Sequence, residues 1–156
     1  MNNNNNNINK FINMPSNPSK KIIPIKGLTP ENINIWEKYL KENPKLGKLK
    51  VQVTTASSYV PIKDAKVVVE KTIGDNNFVL YELTTDMSGI TDEVPLPAPD
   101  KRYSQYDGNS YVNSVYTYHV TAPGFNEIID NQSPIFDGIT TLGSAVMKPS
   151  MKKSPF

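Results

Sequence analysis

The chain has 156 residues, a formal net charge of +2 and 21% charged residues, enough for one domain with a tail and too short for two ordinary domains. That balance gives no electrostatic footprint of a nucleic-acid binder. With no cysteine, disulfide frameworks, thiolate metal sites and cysteine nucleophiles are excluded. The segment from Met1 to Lys20 has no continuous apolar run and does not read as a secretory signal, so synthesis and retention in a cytoplasm is the expectation unless another route delivers the protein. No run of about 18 apolar residues is present, so no membrane partner is expected.

Asn2 to Asn7 form a homopolymeric run, followed by a polar stretch with Pro15 and Pro18. Such a segment buries too little apolar area to offset its ordering entropy, and residues 1–20 are read as a disordered Asn-rich arm. Residues 21–45 are read as a linker carrying one helix. Ile22, Ile23 and Ile25 around Pro24 form an apolar strip suited to an edge strand or to docking on the body of the domain. A helix is predicted over about 30–42, with Thr29 as cap, Pro30 in the first turn and Glu31 at the positive end of the dipole. Ile33, Trp36 and Leu40 fall at i, i+3 and i+7 and define its apolar face. Trp36 is the expected anchor on the domain; a helix that binds a partner is the alternative. Asn43-Pro44 stops it.

From residue 46 to about 150 the period becomes two. Leu49, Val51 and Val53 alternate with Lys48, Lys50 and Gln52; Ala65, Val67 and Val69 form a second strand, and Phe78 and Leu80 belong to a third. Asp86 to Gly89 supplies turn chemistry, and a fourth strand is predicted near Ile90 to Val94. Residues 95–113 read as a long loop. Strands then resume at Val115 to Thr121, Asn126 to Ile129 and Ile139 to Met147, with a turn at Pro123-Gly124, and residues 151–156 form a tail. Seven short strands separated by turns predict an all-β, seven-stranded Greek-key sandwich.

The run Gly47-x-Leu49-x-Val51-x-Val53, Pro61-Ile62-x-x-Ala65-x-Val67-x-Val69 and Thr85-Asp86-x-x-Gly89 resembles the carboxypeptidase-regulatory-like, or transthyretin-like (prealbumin-like), superfamily. The later segments Leu96-Pro97-Ala98-Pro99-Asp100, Tyr116-x-Tyr118-x-Val120, Ala122-Pro123-Gly124-Phe125 and Ile135-Phe136-x-Gly138 resemble the N-terminal domain of clostridial spore cortex-lytic enzymes. The resemblance covers about Gly47 to Pro149. Because the sequence ends at Phe156 without a hydrolase domain, it implies a non-enzymatic accessory or structural role in the spore coat or cortex, through contacts with protein or peptidoglycan. Regulation or inhibition of a cortex hydrolase is a variant of that reading. A self-assembling filament or surface-layer subunit that uses its arm, hence a homo-oligomer, is the second.

The best binding candidates are Arg102, Tyr103, Gln105, Tyr106 and Tyr111, on the longest connection between strands. Long loops in compact domains are often functional, and tyrosine joins apolar area to a polar tip. Ile22, Ile23, Ile25 and Trp36 are the candidates for docking of the arm or a partner. No catalytic residue, cofactor or metal is assigned. His119, the one histidine, lies out of phase with Tyr116, Tyr118 and Val120 and reads as structural. Asp86, Asp92, Glu93, Asp100 and Asp107 could gather at one end of a sandwich, where Asp86 and Asp107 are the carboxylates to follow for calcium, but they fit no calcium-binding spacing. Lys48 or Lys50 would be the amine of an isopeptide cross-link, for which the last strand offers no Asn or Asp. Asn131-Gln132-Ser133 matches a glycosylation acceptor, which has no consequence without a secretory route.

Overall fold

The structure is a computed structural model and describes residues 22–56, 59–105 and 112–151. The arm expected over residues 1–20 therefore lies outside the described residues, as do Tyr106, Asp107 and Tyr111. Among the described residues one α-helix, α1 (Ile33–Glu42), precedes seven strands: β1 (Lys45–Thr55), β2 (Lys66–Ile73), β3 (Asn76–Thr84), β4 (Val94–Ala98), β5 (Ser114–Thr121), β6 (Ile128–Ile135) and β7 (Thr140–Met147). They form two sheets, β4-β1-β7 and β3-β2-β5-β6. All pairings are antiparallel except β1 with β7, which is parallel. The all-β sandwich expected from the strand spacing is present.

The alternation read from the sequence becomes the core. Leu49, Val51 and Val53 from one sheet face Ala65, Val67, Val69, Phe78, Tyr116, Tyr118 and Val120 from the other, all buried. Each fully buried aliphatic side chain contributes on the order of 1.5–3 kcal/mol of transfer free energy, so a face set by simple alternation fixes the strand registers. Gly74-Asp75 is a two-residue connection between β2 and β3, with Gly74 at φ +59°, the chemistry that matches hairpin twist.

Several boundaries differ from expectation. The fourth strand begins at Val94 and runs through Leu96 to Ala98, into residues read as loop, while Ile90 contributes only an isolated bridge to Gln52. Pro95 and Pro97 argue against a strand in sequence, but β4 is an edge strand paired with β1 alone, where a missing N–H is tolerated. The sixth strand is Ile128–Ile135 rather than Asn126 to Ile129, since pairing with β5 carries it past Asp130 and through Pro134. The Asp86–Gly89 turn forms, with Asp86 Oδ1 accepting from the Ser88 and Ile90 amides, yet it joins strands of different sheets instead of closing a hairpin.

The helix also starts later than its sequence signals. Thr29 to Asn32 make a turn in which the Thr29 carbonyl accepts from Asn32 and Ile33. Asn32 occupies the cap position; its side chain accepts from the Thr29 amide and donates to the Gly27 carbonyl. The buried face is Trp36, Tyr39 and Leu40, and Ile33 is exposed. Trp36 stacks at a tilt on Phe78, with ring centroids 5.3 Å apart, so the expected anchor is in place and the helix lies against the end of the sandwich.

Candidate functional site

The connection after β4 is built upon one buried carboxylate. Lys101–Gln105 form a 3-10 helix, not an irregular loop. Asp100, only 4% exposed, accepts from the backbone amide of Arg102 at 2.9 Å and from its Nε and Nη2 at 3.0 and 2.7 Å. These bonds and the guanidinium charge hold the Asp100 carboxyl down to about 2. Asp137, on the connection between β6 and β7, accepts from the Lys101 amide, and Ser104 Oγ accepts from the Val112 amide. Three separate stretches of chain thus meet beneath one turn. Tyr103 stands on it, 53% exposed, beside the exposed Arg102 side chain.

Of the five binding candidates in this connection, Arg102 and Tyr103 are brought to one surface. Gln105 ends the 3-10 helix, and Tyr106 and Tyr111 are outside the described residues. Asp100 and Asp137, which support the turn, lie outside the five binding candidates. In sequence Asp100 is one of a group of loop carboxylates, and the partnership of Asp137 with a residue 36 positions away leaves no local signal.

The second candidate surface lies along β3. The amides of Ile25 and Lys26 both donate to the Val79 carbonyl, and the Val79 amide donates back to Lys26. Continuing this antiparallel register would set Pro24 opposite Tyr81, and proline has no N–H to extend a ladder. The strip consequently makes one bridge and peels away, leaving an apolar groove of about 430 Å³ between Ile22, Ile23 and Ile25 and the side chains of Leu46, Tyr81 and Pro95. Ile22 is buried beneath Trp36, whose Nε1 donates to the Ile22 carbonyl; Ile23 and Ile25 are exposed. Gly27 allows the close approach, because a Cβ there would lie 2.1 Å from the Asn77 carbonyl oxygen.

A buried polar chain links α1 to both sheets and was not anticipated. Ser114 Oγ and Tyr39 Oη are hydrogen-bonded, Tyr39 donates to Tyr116 Oη at 2.6 Å, and Tyr116 donates to the Pro97 carbonyl. With the Tyr39 proton committed to Tyr116, Ser114 is the donor to Tyr39. Burial pushes the Tyr39 hydroxyl up to about 12 and Tyr116 well above its ordinary value. Lys71 donates to the Val115 carbonyl and lies 5.3 and 5.4 Å from the centroids of the Tyr39 and Tyr116 rings. Its desolvation lowers its pKa. Tyr39 was legible as helical but not as buried, since its position between Trp36 and Leu40 matters only once the helix meets β5.

His119 lies on the outer face of its sheet, as its phase predicts. Nε2 is 2.9 Å from Glu70 Oε2, and Nδ1 accepts from the Asp130 amide. The turn carboxylates are dispersed: Asp86 is engaged by its own turn, Glu93 by Lys48 and Asp100 by Arg102. Among the described residues no group of three or more His, Asp or Glu side chains is placed to hold a metal ion, and no helix is long and apolar enough to cross a membrane. Asn131, in the acceptor-like triplet, donates to Tyr118 Oη and to the Ser144 carbonyl.

No protein-family model matches the chain, and no curated protein matches it. Among solved structures, it is similar to the TIE protein of Bacillus anthracis, at 16% identity over 67% of this chain and 17% of that one, TM-score 0.47. It is also similar to GBS52, the minor pilin of Streptococcus agalactiae, at 13% identity over 72% and 48% of the two chains, TM-score 0.44. A third is 3-chlorocatechol 1,2-dioxygenase from Rhodococcus opacus, at 10% identity over 68% and 60%, TM-score 0.47. The chain thus spans 17 to 60% of the length of these three proteins. None of the three carries an argument about activity, and the sandwich is established by this chain's own sheets.

Proposed function

We propose that the protein is a non-catalytic accessory or structural component that acts through protein or peptidoglycan contacts, in the spore setting implied by the sequence motifs of Gly47 to Pro149. The observation that carries the contact reading is the braced turn at residues 101–105. A buried carboxylate spends three hydrogen bonds on Arg102, and a second carboxylate from a distant connection holds the turn at Lys101. A contact surface loses less entropy on binding when its mount is fixed beforehand. Tyr103 and Arg102 are residue types enriched at interfaces.

The test is paired. Abundance is quantified in washed mature spores and in vegetative cells of the native host, and binding to purified peptidoglycan and to spore-coat extracts is compared for the intact protein and a Tyr103→Ala, Arg102→Ala variant. Enrichment in spores with binding lost in the variant supports the reading. Greater abundance in vegetative cells removes the spore setting, and binding unchanged by the variant removes the turn as the contact. Co-purification of a cortex hydrolase would turn the reading towards regulation of that enzyme. A filament or surface-layer subunit built by the Ile22–Ile25 strip would require that strip to leave Val79 on its own β3 first.

A further inference from the structure

The described chain enters the fold through the wall of an apolar groove. Ile22, the first described residue, lines that groove with Ile23, Ile25, Leu46, Tyr81 and Pro95. The groove lies at the seam that Tyr81 of β3 bridges to β4 through the Pro95 carbonyl. Ile22 is buried, but Ile23 and Ile25 are 65% and 54% exposed. Two isoleucines left in water along one wall of an apolar groove are surface that a partner segment would cover.

The sequence ahead of Ile22 carries side chains of the matching kind. Between Asn2 and Lys21 the large apolar residues are Ile8, Phe11, Ile12 and Met14, with the last three inside one short stretch. They follow the Asn tract and precede Pro15-Ser16-Asn17-Pro18, residues that favour a turn. Residues 15–21 join Met14 to Ile22, a link of up to about 25 Å when extended. A groove whose wall begins at Ile22 lies within that reach, and the link has slack to turn back.

We infer that Phe11, Ile12 and Met14 of the chain's own arm dock in this groove against Ile23, Ile25 and Tyr81. The tether decides between this occupant and a second copy. A segment held on a short link meets its site at an effective concentration in the millimolar range, well above that of separate chains in dilute solution. Closing so short a loop costs little entropy, and Pro15 and Pro18 restrict the released arm and lower that cost further. A groove of about 430 Å³ accepts a few side chains and not a folded element, as a short apolar stretch requires. The docked arm shields Ile23 and Ile25, so it governs whether any other apolar segment can enter.

Solution NMR of the full chain tests this, on a sample mixing isotope-labelled and unlabelled chains in equal amounts. The expected result is nuclear Overhauser contacts from the Phe11 ring and Ile12 methyls to the Ile23 and Ile25 methyls, within labelled chains. Trypsin cleavage after Lys10, followed by mass spectrometry, gives a second readout. It should be about tenfold or more faster in Ile23→Glu, because cleavage tracks the fraction of chains with the arm released. Ile23 is exposed, so this variant should keep its fold by circular dichroism; were it to unfold, the NMR result on the wild-type chain decides alone. Absence of contacts between arm and groove overturns the inference. Contacts found only between labelled and unlabelled chains also overturn it, since they put a second copy's arm in the groove. A folded Ile23→Glu chain cleaved at the wild-type rate does the same.

Discussion

Along the seam between β3 and β4 the sandwich is closed by apolar side chains brought from outside the sheets; along the seam between β6 and β7 it is closed by hydrogen bonds from within. At the first, Ile22 lies beneath Trp36, Trp36 packs on Phe78, and Tyr81 Oη donates across the gap to the Pro95 carbonyl. At the second, Tyr118 Oη and Asn131 Nδ2 converge on the Ser144 carbonyl, and Thr141 Oγ1 donates to the Pro134 carbonyl. The two solutions differ in energy scale. Burial of large side chains sums to several kcal/mol, whereas a part-exposed hydrogen bond contributes a net 0.5–1.5 kcal/mol or so. The helix side should therefore dominate stability, and the β6/β7 side should be the more readily opened.

The largest effect should come from Trp36→Ala, which empties the contact between α1, Ile22 and Phe78. A loss of about 3–5 kcal/mol is expected for a fully buried tryptophan, read from urea unfolding followed by circular dichroism. A loss below about 1 kcal/mol would mean that α1 is an appendage and would reverse the comparison between the seams.

Alkaline pH sharpens the same contrast. Tyr39 ionises at 10.0 when unfolded and at about 12 when folded, because burial disfavours the phenolate. A raised acid pKa means that the unfolded chain loses its proton first. The contribution of the neutral hydroxyl is therefore complete below pH 10 and is lost as pH rises towards about 12. Two pKa units correspond to roughly 2–3 kcal/mol. Lys71 works the other way, since its lowered pKa makes its contribution improve as pH rises and offsets part of that loss, whereas Tyr116, raised like Tyr39, adds to it. Tyr39→Phe should flatten the alkaline limb, measured as urea midpoints between pH 9 and 12. A limb unaltered by that variant would place the alkaline sensitivity elsewhere.

The smallest of the three effects tests the polar seam. A Cβ on Gly143 would lie 2.8 Å from Tyr118 Oη, closer than carbon and oxygen tolerate. Gly143→Ala should therefore cost about 1–3 kcal/mol by overpacking. Tyr118→Phe removes the oxygen in the way, so the double variant should be less destabilised than the sum of the singles. Strict additivity in that cycle would show that the two residues do not meet.

How much was legible follows from the range of each interaction. Alternation in Leu49 to Val53, Ala65 to Val69 and Tyr116 to Val120 is a local pattern imposed by burying one face of a strand, and it survived into the core intact. The candidate site was legible only in its residue types: a tyrosine and an arginine in a long connection. What makes them a surface is Asp137 holding Lys101 across 36 residues, and nothing in the local sequence encodes such a partner.

By itself, then, the sequence determined an all-β domain, the inward faces of its strands, the anchoring role of Trp36 and the turn at Asp86 to Gly89. Each follows from periodicity or from one residue's backbone preference. The tertiary structure alone decided that Pro95 and Pro97 lie in a strand, because only an edge position forgives the missing amides. It decided that Asp86 to Gly89 crosses between sheets, since pairing partners are chosen by packing and not by turn residues. It also decided that Tyr39, Ser114 and Tyr116 form one hydrogen-bonded chain. Buried hydroxyls must find partners, but the three come from α1 and β5, more than seventy residues apart in sequence, and only folding brings them together.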